Sequence, residues 1–225
     1  MSNLASTYWK QGRLNEAEKL QVDVVEKRKQ ILYEDHPDVL SSLADLALTH
    51  SKQERLEEAE KLQVTLLEKR RRLLPKEHPH TLMSIAKLAS TYQSQGRWDE
   101  AEKLEVEVLE TSKRVLGEGH PHTLTSMGNL ASTYRNQGRW DEAEKLFVEV
   151  LETSKRVLGE GHPDTLTSMA NLAVTLRNVN QPQAAVELMK QCIALSSDKL
   201  GSKHPDTLNR CQWAETWAAE DESVA

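Results

Sequence analysis

A histidine–proline step recurs every 42 residues: His36-Pro37, His78-Pro79, His120-Pro121, His162-Pro163 and His204-Pro205. A strict period with no insertion or deletion leaves few folds open. Every copy must adopt the same local structure and bury its apolar face against its neighbours. Other columns keep the register. Ala17, Ala59, Ala101, Ala143 and Ala185 form one, and Leu20, Leu62, Leu104, Leu146 and Leu188 another. Residues 96–137 and 138–179 differ at six positions only: Glu105/Phe147, His122/Asp164, Gly128/Ala170, Ser132/Val174, Tyr134/Leu176 and Gln137/Val179. Near identity of that order reads as duplication of a unit.

Each copy reads as two helices. Proline is tolerated in the first turn of a helix, where its missing N–H would have no partner. The His-Pro step therefore marks a helix start. Small and apolar residues follow at helical spacing, as in Leu124, Met127, Leu130, Ala131 and Tyr134. Asn136-Gln137-Gly138 closes this helix, with Gly138 suited to a left-handed cap. A second helix of about 19 residues, roughly 28 Å long, begins at Arg139-Trp140-Asp141-Glu142. Its stripe is Trp140, Ala143, Leu146, Phe147, Val150, Leu151, Val157 and Leu158. Early Glu142 and Glu144 and late Lys155 and Arg156 suit the helix dipole. Leu158-Gly159-Glu160-Gly161 ends the unit. A lone pair cannot bury both apolar faces, but stacked pairs can. Small Ala131 and Ala143 let helix axes approach closely.

The units are 1–36 (partial), 37–78, 79–120, 121–162, 163–204 and 205–225. The last is expected to be a capping helix over 208–219 with a frayed acidic tail, Glu220-Asp221-Glu222. Trp213 and Trp217 are expected to cover the final core face, with a partner site as the alternative. Asn180-Gln181-Pro182-Gln183 replaces Gly-Arg-Trp-Asp, so the last inter-helix turn is less regular.

The columns Met127, Leu130, Ala131, Tyr134, Gly138, Ala143, Phe147 and Val150 resemble the tetratricopeptide repeat (TPR) signature, lengthened from its usual period of about 34. Asn129-Leu130-Ala131, Gln137-Gly138-Arg139, Glu142-Ala143-Glu144 and Leu158-Gly159-Glu160-Gly161-His162-Pro163 are similar to the repeats of the kinesin light chain. Near-identical tandem copies also resemble the sensor arrays of fungal and bacterial NOD-like (STAND) receptors. The resemblance covers essentially the whole chain. It implies one all-α domain over residues 1–225: a right-handed superhelical solenoid of stacked helix-turn-helix TPR units, with about 11 antiparallel helices. It also implies a non-catalytic scaffold whose first helices line a concave groove.

Composition narrows the function classes. Lys and Arg number 29 against 35 Asp and Glu, a net charge of −6, which argues against nucleic acid as a partner. No apolar run approaches the roughly 20 residues needed to span a bilayer, so no membrane association is expected. The N-terminus shows no secretory signal. With only Cys192 and Cys211, the chain reads as a reduced, cytoplasmic protein. No phosphate-binding G-x-x-x-x-G-K-S/T loop occurs, and no cofactor is expected.

Candidate chemistry has plainer readings. Equivalent histidines in stacked copies lie roughly 15–20 Å apart, too far to share a metal with ligands at about 2 Å. They read instead as helix-start signals whose imidazoles can bond a free backbone N–H. His78/His80 and His120/His122 carry the same reading. Cys192 and Cys211 occupy apolar columns and read as buried thiols. Glu142, Glu144, Glu149 and Glu152 read as a solvated helix face, and Arg70-Arg71-Arg72 as complement to a helix C-terminus. Gly128 replaces Ala44, Ala86 and Ala170 inside a first helix. It is either drift or a dent that lets a ligand backbone approach. No catalytic constellation emerges.

The resemblance nominates the free side of each first helix as the partner surface. One ladder is Asn3, Asp45, Lys87, Asn129 and Asn171. A second contains Ser6, Ser90, Ser132 and Val174, and a third Gln93, Arg135 and Arg177. Asparagine carries donor and acceptor for a peptide backbone. Arginine grips a carboxylate through two parallel bonds. The expected partner is a protein or peptide, with acidic segments preferred. The alternatives are a structural array that self-associates through its exposed N-terminal end, or the ligand-sensing repeat domain of a larger NOD-like receptor.

Overall fold

The computed structural model describes the backbone of residues 1–224 and side chains through Ala219. The described residues form eleven helices and no strand: α1 (Ser2–Lys10), α2 (Leu14–Ile31), α3 (Pro37–Lys52), α4 (Leu56–Leu73), α5 (Pro79–Ser94), α6 (Trp98–Leu116), α7 (Pro121–Asn136), α8 (Trp140–Leu158), α9 (Pro163–Asn178), α10 (Pro182–Lys199) and α11 (Pro205–Val224). Short first helices alternate with longer second helices, as the period predicts. The capping helix starts earlier and runs further than 208–219, through Val224. The side chains of Glu220-Asp221-Glu222, and the fraying expected there, lie outside the described residues.

The chain gathers into two compact units, Met1–Val108 and Leu109–Ala225. In the first, each helix from α1 to α5 packs on the next; in the second, each from α7 to α11 does so.

The helix starts follow from the His-Pro step. The imidazole Nδ1 of His36, His78, His120, His162 and His204 accepts the backbone N–H two residues on, at 3.1–3.3 Å. Each ring satisfies one of the orphan donors of a helix N-terminus. The histidine ladder is a row of caps.

The turns within each pair are equally uniform. The N–H of Arg13, Arg55, Arg97 and Arg139 donates to the carbonyl of Tyr8, His50, Tyr92 and Tyr134 at 2.9–3.0 Å. Closure needs a left-handed residue just before each donor, which in the last copy is Gln181, bonded to the Leu176 carbonyl at 3.0 Å. Gly96 (φ 73°) and Gly138 (φ 77°) supply it, but Glu54 takes the same place at φ 61° and Asn180 at φ 60°. The guanidinium then lies 4.0–4.2 Å from the ring centroid of Tyr8, Tyr92 or Tyr134.

The core of the second unit joins Phe147, Leu151, Leu166, Met169, Met189 and Cys192 around the fully buried Ala131, Ala143, Ala173 and Ala185. Trp217 closes it at the C-terminal end, as expected, while Trp213 is 43% exposed. The second-helix stripe is shorter than its sequence suggests: Val157 is half exposed. One core column changes character along the chain. It runs Gln21, Gln63, Glu105, Phe147, Met189, and all five are buried. Gln21 accepts from the Thr49 hydroxyl at 2.7 Å, and Glu105 from Gln93 Nε2 at 2.8 Å. The Gln63 amide oxygen has no hydrogen-bond partner among the described residues.

Candidate functional site

The ladder residues sit on the first helices because the core columns of those helices face the other way. In the first unit, Asn3 and Asp45 are exposed, and Ser6 and Asp45 line a small cleft with Ala5, Gln21, Val24 and Ser42. Although exposed at its edge, the Asp45 carboxyl is partly desolvated in this cleft, which pushes it above the ordinary aspartate range against an opposing pull from Arg28. Lys87 and Ser90 stand exposed on α5, and Gln93 turns inward to Glu105.

In the second unit the six nominated residues converge. Asn129, Ser132 and Asn171 line a cleft of about 210 Å³, bounded by Leu124, Thr125 and Gly128 of α7, Phe147, Val150, Ser154 and Leu158 of α8, and Asp164, Thr167 and Ser168 of α9. Arg135, Asn171, Val174 and Arg177 line a second cleft of about 260 Å³ with Asn178, Trp213 and Trp217. Asn171 borders both. Arg135 lies 5.7 Å from the Phe147 ring centroid, and burial depresses its pKa. Its guanidinium has no hydrogen-bond acceptor among the described residues. Arg177 lies 5.4 Å from the Trp217 ring and donates to the Trp217 carbonyl at 3.4 Å. Gly128 opens into the first cleft, where an added Cβ meets no atom within 4 Å.

Two charged features do more than their sequence reading expects. Of the carboxylates read as a solvated face, Glu142 and Glu152 are exposed, but positions in the Glu144 and Glu149 columns bond neighbouring repeats. Glu18 pairs with Arg55 at 2.7 Å and accepts from Gln53 at 2.9 Å; Glu60 pairs with Arg97 and accepts from Gln95, both at 2.8 Å. Burial would raise the pKa of Glu18 and Glu60, but these hydrogen bonds together hold both below the ordinary glutamate range. Glu149 pairs with Lys113, and Gln181 reaches Glu144. The arginine run lies in the last turn of α4, as its reading as a C-terminal complement expects, and it is also tied to neighbouring elements. Arg70 is buried, Arg71 pairs with Glu107 at 2.6 Å, and Arg72 pairs with Asp35.

Cys192 is buried, and its thiol reaches the Leu166 carbonyl at 3.2 Å; burial pushes its pKa up. Cys211 is only partly buried, less than its column suggests, and both thiols are free. Among the described residues no helix is long and apolar enough to cross a membrane.

The fold and its clefts define an all-α array of repeated helix pairs whose first helices carry polar residues on a regular core. Tetratricopeptide repeat models match residues 1–72, 81–122 and 123–198, and the chain belongs to the tetratricopeptide repeat family. Among solved structures it is similar to nearly identical TPR-like repeats of a kinesin light chain protein from Podosopora anserina, at 31% identity and TM-score 0.78, covering 88% of this chain and 93% of that one. A STAND protein with a TPR sensor from Pyrococcus horikoshii matches at 17% identity and TM-score 0.76, over 98% of this chain and 33% of that one. A Rap protein complexed with competence and sporulation factor matches at 13% identity and TM-score 0.69, over 99% and 65%. The last two likenesses bear on fold alone. Comparison with curated proteins gives no match.

Proposed function

We propose that this chain is a non-catalytic interaction scaffold whose first helices bind a peptide segment of a partner protein, with acidic residues preferred at the Arg135–Arg177 cleft. Arg135 carries the reading. A partly buried guanidinium without a hydrogen-bond acceptor among the described residues is costly. A ligand carboxylate placed there would offset that cost through paired, charge-assisted bonds. Trp213, exposed beside it, offers an apolar wall. Asn129 and Asn171 can bond the backbone of the same segment. Asn3, Ser6, Asp45, Lys87, Ser90 and Gln93 provide an equivalent, less enclosed face on the first unit.

The test is peptide binding to Arg135→Glu plus Arg177→Glu, followed by Trp213 fluorescence. Affinity for an acidic peptide should fall about tenfold to a hundredfold, the worth of one or two charge-assisted bonds. Unchanged affinity would sink the charge preference. Self-association is the second reading, favoured by the exposure of Met1 and Leu4 on α1. Light scattering across a concentration series separates the two.

A further inference from the structure

Two columns meet at the junction between consecutive helix pairs. A second-helix position runs Arg28, Arg70, Ser112, Ser154, Ser196, and a position fourteen residues on runs Ser42, Ser84, Ser126, Ser168, Arg210. Where an arginine is present, it bonds the facing serine; Arg70 and Arg210 are buried and Arg28 is partly buried. Arg28 Nη1 donates to the Asp38 carbonyl at 2.8 Å and to Ser42 Oγ at 2.5 Å. Arg70 Nη1 donates to the His80 carbonyl at 2.9 Å and to Ser84 Oγ at 2.6 Å. At the last junction the roles swap, and Arg210 Nη1 donates to Ser196 Oγ at 2.9 Å.

The junction of α8 and α9 keeps the acceptors and lacks the arginine. Ser154 stands where Arg28 and Arg70 stand, and Asp164 and Ser168 stand where Asp38 and Ser42 stand. Ser42 Oγ donates to the Asp38 carbonyl at 2.8 Å, and Ser168 Oγ donates to the Asp164 carbonyl at 2.9 Å. A hydroxyl that donates in this way keeps lone pairs to accept a guanidinium N–H. Ser154 is 1% exposed, and its hydroxyl has no hydrogen-bond partner among the described residues. Ser154, Asp164 and Ser168 all line the 210 Å³ cleft, and Gly128 widens it from the α7 side.

We infer that this cleft is a vacant arginine site that receives the arginine side chain of a partner peptide. The guanidinium donates to Ser168 Oγ and to the Asp164 carbonyl, as Arg28 does to its own pair, with the Ser154 hydroxyl as a further acceptor. The Asp164 carboxylate supplies opposite charge at the rim. Leu124, Val150 and Leu158 cover the aliphatic stem. Lysine lacks the flat, forked donor set that these acceptors match. This inference deepens the peptide-binding reading and rests on it only for the source of the arginine. Asn171 borders this cleft and the Arg135–Arg177 cleft, so one segment carrying an arginine and an acidic residue could occupy both.

The test titrates N-acetyl-arginine methylamide into the intact chain, read by amide NMR. Saturable shifts are expected at Gly128, Ser154 and Ser168, with the lysine counterpart about tenfold weaker. Ser154→Arg should fill the cleft from within, abolish those shifts and raise the melting temperature. Ser154→Leu fills the cleft without a donor and should also abolish them; it serves if the arginine variant fails to fold. Absence of saturable shifts in the parent chain, equal response to lysine, or undiminished response in Ser154→Leu overturns the assignment. The probe needs no peptide groove. Its failure beside intact, Arg135-dependent peptide binding removes the arginine site alone, and the converse removes only the acidic preference.

Discussion

Single residues decide how the clefts behave. Gly128 lies within α7, where glycine costs about 1 kcal/mol relative to alanine, and a Cβ there meets open space. Gly128→Ala should raise stability by about 0.5–1 kcal/mol in chemical denaturation. Because that methyl group projects into the cleft, it should also weaken peptide binding. Stabilisation with unchanged binding would mark Gly128 as drift. Asp45 makes a pH-dependent case. Its folded pKa is raised by partial desolvation in its cleft, so the folded state holds its proton somewhat more tightly than the unfolded chain does. The stabilising contribution is present below the ordinary aspartate range and is lost as pH rises through the folded pKa. Ionised Asp45 therefore weakens the fold at neutral pH. Asp45→Asn should raise the melting temperature at pH 7, and the gain should vanish in acid.

At the scale of the helix pair, the turn before the second helix is the repeated constraint. Gly12, Gly96 and Gly138 satisfy its left-handed geometry, whereas Glu54 bears a side chain at φ 61°. A left-handed non-glycine residue costs about 1–2 kcal/mol, offset in part by the greater chain entropy that glycine loses on folding. Glu54→Gly should stabilise the chain by about 0.5–1 kcal/mol, measured by the denaturation midpoint. The His-Pro caps and glycine turns were legible in the sequence because both depend on neighbours two to five residues away. The clefts of the second unit were partly legible. The ladders named six residues that line them, and Trp213 and Trp217 stood as an alternative, but Ser154, Asp164 and Ser168 went unnoticed. The reciprocal Arg/Ser columns carried the missing signal. It becomes readable once the two positions are known to touch.

For the molecule as a whole, the changing core column sets a gradient. In a repeat array, stability sums over units and their nearest-neighbour interfaces. The first unit buries Gln21, Gln63 and Glu105 where the second buries Phe147 and Met189. Native-state hydrogen exchange should therefore find its slowest amides in α8–α10. Gln63→Met, which removes an unpartnered buried amide oxygen, should slow exchange in α4 and add about 1–3 kcal/mol. Faster exchange across α8–α10 than across α3–α5 would contradict the gradient.

The sequence by itself determined the repeated helix pair, its period, its caps, its turns and its family. Each of these is set by local backbone chemistry or by apolar spacing that recurs five times, and repetition makes weak signals add. Only the tertiary structure decided which charges are tied and which cleft stands open. The Glu18–Arg55 and Glu60–Arg97 pairs join residues 37 apart, and the arginine junctions join residues 14 apart across two helices. Such contacts depend on where packing places the end of a long side chain, which helical spacing along one element does not encode. A run that reads as soluble charge can therefore hold a buried arginine, and two small serines can leave the space that an arginine fills elsewhere in the same chain.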